Sequence, residues 1–269
     1  MKDRYGPWAL VVGASDGIGE AFATRLASAG LNVALVARRL AQLEQVAGRL
    51  PVETRVIAVD ATDTEAVLRA VDDLDIGLLV CNAALAPVGP FLELTPQQVD
   101  GVLDLNCRTA ARLAHAVGPR LVRRGRGGIV LLSSMAALQG AGLVAHYAAT
   151  KAYLRTLAEG LWVELRPLGV DVLACCPGLV RTPTFLNSSP APPGRLVPPA
   201  AEPADVARVA LAALGRRPVV IPGWRNRLGA FAAQRLLSRR SAVVLASAQT
   251  RAMYPKEWSR LARAAEPDA

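Results

Sequence analysis

The sequence predicts an α/β chain: a doubly wound parallel β-sheet with helices on both faces, followed by a C-terminal helical extension. Three observations lead there. Apolar runs of strand length alternate with amphipathic stretches of helix length as far as residue 221. A glycine-rich turn closes the first run and opens the first helical stretch. Apolar residues make up 52% of the chain but aromatics only 4%, so alanine, valine and leucine must fill the core, which suits helices packed on a parallel sheet.

Strands are expected at residues 8–13, 32–37, 54–59, 77–81, 128–132, 170–176 and 218–221, each a short run rich in Val, Ile, Leu and Ala. The stretches 18–29 and 96–124 have helix length and period. Alternation at this spacing implies right-handed crossovers, and 269 residues fit one large domain comfortably. Residues 183–203 hold seven prolines and are expected to form a stiff, irregular excursion rather than an extended helix. Such a loop, leaving the carboxyl end of a strand, is a candidate substrate lid or an ordinary surface loop.

After residue 221 the rhythm stops. Residues 1–222 are expected to form the α/β domain and residues 223–269 a basic helical extension packed on that domain or at an interface. Two helices are expected, at 224–240 and 242–253, the first with Leu228, Phe231, Ala232 and Leu236 along one face.

The net charge is +9. Nine Lys/Arg face three Asp/Glu from residue 223 onward. Two readings stand: an arginine-rich composition without function, or a basic surface that makes peripheral contact with acidic lipid head groups or a charged partner. Nucleic acid is not expected, because the tail lacks interleaved aromatics and any reading motif. No apolar run reaches the ~18 residues of a membrane span. The charged N-terminus and its short apolar run imitate a signal peptide but lead straight into the glycine turn. The four cysteines form no Cys-x-x-Cys pair and read as small buried residues of a reducing compartment. A cytoplasmic protein, free or peripheral to a membrane, is the expectation.

The turn reads Gly13-Ala-Ser15-Asp16-Gly17-Ile18-Gly19. Glycines there let the backbone approach a pyrophosphate, while exposed N–H groups and the helix dipole favour its charge. The second strand is followed by Arg38-Arg39, without a carboxylate to accept the ribose 2′-OH of NAD. Arginine instead suits a 2′-phosphate by charge and planar geometry, so NADP(H) is the expected cofactor and NAD(H) the lesser one. A solvated start to the next helix is the alternative for both arginines.

Tyr147 and Lys151 stand four apart in an apparent helix and share one face. An ammonium beside a phenol favours the phenolate and makes the tyrosine a workable proton donor near neutrality. His115 and His146 are too few for a metal site, and none is expected. His146 is expected at the pocket edge or at a subunit contact.

With the loop, Asn82, Ser134, Tyr147 and Lys151 in this order, residues 7–222 resemble the short-chain dehydrogenase/reductase family, whose fold is Rossmann-type. Gly13, Gly17 and Gly19 match its glycine loop, and the resemblance places Ser15, Asp16 and Ile18 against the cofactor phosphates and ribose. It gives Asp60, followed by Ala61, the adenine amino group. Asn82 and Ala83 keep the centre of the family's Asn-Asn-Ala-Gly segment, from which Cys81 and Ala84 depart. Val12 stands where threonine is common. Asn106 matches the fourth catalytic residue, which would kink its helix and hold a water linking Lys151 to solvent. The family's usual spacing selects Ser134 over Ser133. Pro177, Val180 and Thr182 match the segment that positions the nicotinamide carboxamide.

The resemblance implies reduction of a carbonyl by NADPH, with Tyr147 as general acid, Ser134 on the carbonyl oxygen and Lys151 on both tyrosine and ribose. Leu138, Ala141, Leu143, Val144, Phe185 and Leu186 are apolar and lie near the implied site in sequence, which favours an apolar or lipid-like ketone or 3-oxoacyl substrate. The alternatives are an NAD-dependent alcohol or hydroxysteroid dehydrogenase and an inactive dinucleotide-binding regulator or scaffold. Relatives pair helices near 96–124 and 146–166, which implies a homodimer or homotetramer.

Overall fold

The computed structural model of the chain describes residues 1–188, 190–191 and 198–263. Its strands are β1 (Trp8–Val12), β2 (Asn32–Ala37), β3 (Thr54–Ala58), β4 (Ile76–Cys81), β5 (Gly127–Leu132), β6 (Val170–Cys175) and β7 (Val219–Val220). They form one parallel sheet in the order β3-β2-β1-β4-β5-β6-β7. The helices are α1 (Lys2–Tyr5), α2 (Gly17–Ser28), α3 (Leu40–Ala47), α4 (Thr64–Arg69), α5 (Pro96–Leu103), α6 (Thr109–Arg123) and α7 (Ala145–Leu165). After them come α8 (Pro183–Asn187), α9 (Pro203–Ala213), α10 (Trp224–Phe231), α11 (Arg239–Met253) and α12 (Pro255–Arg263).

Both faces of the sheet are covered, which is why its strands read as unbroken apolar runs. Side chains alternate across it: Ala9, Val11, Val33 and Leu35 pack with Phe22 and Leu26 of α2, Leu43 of α3 and Val206 of α9. On the other face Leu10, Val12, Ala34 and Val36 pack with Val67 of α4, Leu113 and Val117 of α6, and Leu154 of α7. From β1 the chain moves to β2 and β3 on one side, then crosses back to β4 on the other. The loops leaving β1 and β4 therefore part company at the carboxyl edge, where such sheets form their crevice.

The expected strands are present, with bounds shifted by a residue or so. Helix 96–124 is not continuous. A capping box of Thr95 and Gln98 starts α5, but residues Asp104–Arg108 widen into a π turn before α6 resumes.

Two further expectations need correction. The first extension helix stops at Phe231, runs through a π turn (Ala232–Leu236), and breaks at the extended Leu237. Ser238 then caps a new helix by accepting the Ser241 N–H at 3.1 Å, so Arg239 and Arg240 belong to α11 rather than to the helix before it. A third helix, α12, follows with Pro255 at its first position, a place that loses nothing by lacking an N–H. Within the proline-rich excursion, α8 forms from Pro183 and Val180 bridges to Ala201. Residues 189 and 192–197 of the expected lid lie outside the described residues. No described helix is long and apolar enough to cross a membrane.

Candidate active site

The glycine loop is locked to the ends of three strands. Gly13 and Ala14 donate to the Val36 carbonyl of β2 at 2.8 and 3.1 Å. Asn82, at the end of β4, donates from Nδ2 to the Gly13 carbonyl at 2.8 Å. A Cβ on Gly19 would stand 1.8 Å from that same carbonyl oxygen, and one on Gly13 would stand 2.6 Å from the Ala83 nitrogen. These two glycines are required by close approach. Gly17 begins α2 at φ 56°, in the left-handed region that favours glycine. The amino end of a 12-residue helix thus faces the crevice.

That crevice is a cavity of about 1410 Å³. Gly13, Ser15, Asp16 and Ile18 line one end, with Arg38, Arg39, Asp60 and Ala61 beside them. Asn82, Ala83, Pro177, Val180 and Thr182 line it too, with Thr182 packed against Gly17. Ser134, Tyr147 and Lys151 line its floor. Among the expected site residues, Gly17, Gly19, Asn106, Leu143 and Leu186 do not line it.

The two arginines differ. Arg39 donates to Ser15 Oγ at 2.8 Å and pairs with Asp16, bridging back across the loop. Arg38 is freer, with Asp60 Oδ2 at 3.9 Å. The Thr62 backbone N–H and hydroxyl, at 2.9 and 2.7 Å, hold the Asp60 carboxyl below its usual range.

At the floor, Lys151 is buried and donates from Nζ to the Leu132 carbonyl at 2.7 Å. Burial pulls its ammonium down to about 8. Its Nζ stands 5.6 Å from the centre of the Tyr147 ring. Tyr147 itself is pushed up by burial, and a hydrogen bond with Ser134 offsets part of that rise. The expected lowering of the phenol is not met in the protein alone: desolvation is the largest influence on it, and it raises the group. Ser134 Oγ accepts the Ala136 N–H at 3.1 Å, which leaves its own O–H to donate. Ser133 is turned away, donating to the Lys151 carbonyl at 2.7 Å.

Asn106 sits in the π turn and is almost wholly buried. Its Oδ1 accepts the Leu85 N–H at 2.8 Å, and its Nδ2 donates to Leu85 O and Thr150 Oγ1, each at 2.9 Å. Both amide protons are used within the protein, on Leu85 and Thr150. Thr150 Oγ1 in turn donates to the Tyr147 carbonyl at 2.8 Å. Thr150 was missed in the sequence because a buried hydroxyl one turn after the tyrosine carries no motif of its own.

His146 does not line the main cavity, which corrects the expected place at its edge. Its Nε2 lies 2.9 Å from the Val99 carbonyl and its ring 5.8 Å from that of Phe91, tying α7 to α5. Among the described residues no cluster of His, Cys, Asp or Glu could hold a metal. All four cysteines are free, and burial raises the Cys81 thiol to about 12.

The remaining wall comes from the extension, whose part in the cavity the sequence reading did not foresee. Leu228, Ala233 and Leu237 line it, followed by Leu245, Ala246 and Met253 of α11. Three tethers fix this wall to the loop after β5: Thr250 Oγ1 to Gly142 O at 2.9 Å, Gly142 N to Ser247 Oγ at 3.1 Å, and Arg239 to Leu138 O at 2.7 Å. Tyr254 and Ser188 join their hydroxyls at 3.1 Å. Buried Ala242, Ala246 and Met253 recur on one face of α11, a spacing that could have marked it as packed.

Residues 7–192 match the family model described as short chain dehydrogenase. The chain is 33% identical over 234 residues to a 7beta-hydroxysteroid dehydrogenase of Clostridium sardiniense, covering 84% of this chain and 89% of that protein. It is 31% identical over 285 residues to a very-long-chain 3-oxoacyl-CoA reductase of Phaeosphaeria nodorum, covering 98% and 81%. A solved structure from work on 7beta-hydroxysteroid dehydrogenase stereoselectivity superposes with a TM-score of 0.84 at 26% identity, covering 91% of this chain and 98% of that one.

Proposed function

Since the chain belongs to the short-chain dehydrogenase family and is an oxidoreductase acting on CH–OH or C=O groups with NAD(P), we propose that it reduces a ketone on a bulky apolar skeleton, with NADPH as the preferred donor. One observation carries this reading. Ser134, Tyr147 and Lys151 meet on the floor of a cavity whose far wall is the apolar side of the extension. At about 1410 Å³ the cavity exceeds the ~300–1,000 Å³ of a common small-molecule site, leaving room for a dinucleotide and a large substrate together.

The residues at the loop fit a dinucleotide: glycines that no side chain could replace, a helix amino end, and Asp60 beside Arg38. Arg38 and Arg39 would hold a 2′-phosphate, Val180 and Thr182 the carboxamide, and Lys151 the nicotinamide ribose. When bound, the dihydronicotinamide supplies the hydride. Tyr147, kept protonated at neutral pH by its burial, gives its proton to the developing alkoxide. The Ser134 hydroxyl donates to the same oxygen and fixes where it sits. Lys151, charged below about pH 8, steadies the phenolate that Tyr147 becomes. Asn106 acts at one remove, through Thr150 and the Tyr147 carbonyl.

The relatives' names point to hydroxysteroids and very-long-chain 3-oxoacyl-CoA, both bulky and largely apolar. Oxidation of the corresponding alcohol uses the same groups in reverse and is favoured as pH rises and Tyr147 ionises. Free thiols support a reducing, cytoplasmic setting. Exposed Leu103, Tyr153 and Val163 support pairing of α5 and α7 with a second copy.

The test is a titration of nicotinamide fluorescence with NADPH and NADH, followed by turnover on ketones of graded bulk. Tighter NADPH binding, with kcat/KM rising as the ketone grows, supports the reading. Equal affinity, or a preference for small ketones, counts against it.

A further inference from the structure

The extension carries a second surface whose chemistry the reaction does not use. From residue 223 to residue 253 there are six arginines and no aspartate or glutamate. All six are exposed, and Arg227, Arg235 and Arg240 stand in no ion pair among the described residues. Large apolar side chains lie between them in water. Trp224, Leu228 and Phe231 follow one another along one face of α10 and are 67%, 60% and 56% exposed. Leu236 is 69% exposed and Val244 61%. Exposed aromatic and aliphatic groups ringed by arginine, with no carboxylate among them, are the composition of a helix that lies in a lipid interface.

Two further facts select the occupant. A second copy of this chain meeting the same face across a two-fold axis would set arginine against arginine, which disfavours self-association there. Trp224, Leu228 and Leu245 are exposed and also line the catalytic cavity. The cavity rim and the apolar surface are thus one continuous patch.

We propose that α10 and the start of α11 dock on an anionic membrane surface, seating the rim of the cavity at the acyl boundary so that an apolar ketone enters from the bilayer. Docking stands on the exposed surface alone; the entry route rests on the apolar-substrate reading above. Arginines reach the lipid phosphates while Phe231 and Leu236 enter the headgroup layer.

The experiment is flotation of the full chain with vesicles of phosphatidylcholine alone or mixed with phosphatidylglycerol. Recovery with anionic vesicles, and little with neutral ones, is expected, falling as salt rises. Arg235→Gln with Arg240→Gln should lower partitioning at least about tenfold. Phe231→Ser with Leu236→Ser should lower it comparably and leave binding steeply salt-sensitive. Neither pair lines the cavity, so turnover of a water-dissolved ketone should stay within about twofold. That arm separates docking from the catalytic reading: if all variants reduce the ketone but none changes in flotation, docking is wrong and the enzyme reading survives. Equal recovery with neutral vesicles overturns the proposal. So does a dimer in solution that Phe231→Ser with Leu236→Ser converts to monomer, since the face would then belong to a second copy.

Discussion

Lys151 donates its ammonium to the main-chain carbonyl of Leu132 at 2.7 Å, at the end of β5 and beneath the tyrosine it serves. The bond holds a charge where water is nearly absent. Burial lowers the group from 10.5 to about 8, which corresponds to roughly 3 kcal/mol against the charged form. A depressed folded value means that stability is fully present above the unfolded value near 10.5 and is lost as pH falls through about 8. Wild-type stability should therefore rise between pH 8 and 10.5 relative to Lys151→Met, which shares every other titration. Urea unfolding of both proteins at pH 7, 8.5 and 10 reads the difference, and a gap that does not move with pH would sink the idea.

Tyr147→Phe removes the proton donor but leaves the floor's shape. Turnover should drop at least ~10²–10⁴-fold, with NADPH affinity kept within a few-fold. Single-turnover rates and fluorescence titration separate the two. Unchanged turnover would take Tyr147 out of the mechanism.

Arg38 and Arg39 face the same end of the cavity, but Arg39 is already bridged to Asp16 and Ser15. Arg38→Ala with Arg39→Ala should weaken NADPH binding by ~10- to 100-fold, the loss of charge-assisted hydrogen bonds. NADH should change little. Parallel loss of both dinucleotides would show that the arginines hold the loop and do not read the phosphate.

Ala233 lies on the wall that the extension contributes. Ala233→Phe should cut kcat/KM for a large ketone ~10-fold or more, the discrimination expected of a filled apolar pocket, while a small ketone is reduced as before. Equal losses for both would mean that the wall does not meet the substrate.

The sheet was legible because buried parallel strands leave unbroken apolar runs, and Ala9–Val12 or Leu78–Cys81 can hardly be read otherwise. The loop, tyrosine and lysine were legible because fixed spacing carries their geometry. Other features had no local signal. The break at Leu237 depends on whether Ser238 caps, a choice made by packing. The place of the extension depends on the tethers of Thr250 and Ser247 to Gly142, more than a hundred residues apart in sequence. The upward shift of Tyr147 depends on how much water the folded cavity excludes, which no spacing records.

The tethers to Gly142 and Leu138 also set an order of events at the ribosome. The strands and every proposed catalytic residue emerge before residues 224–254, so the sheet can assemble while Leu138, Ala141 and Val144 still lack the wall they share a cavity with. During that interval the nascent chain shows an open apolar trough beside a finished glycine loop. A dinucleotide could reach its seat before the wall closes over the rest, and the closing helices would then fold against a partner already in place.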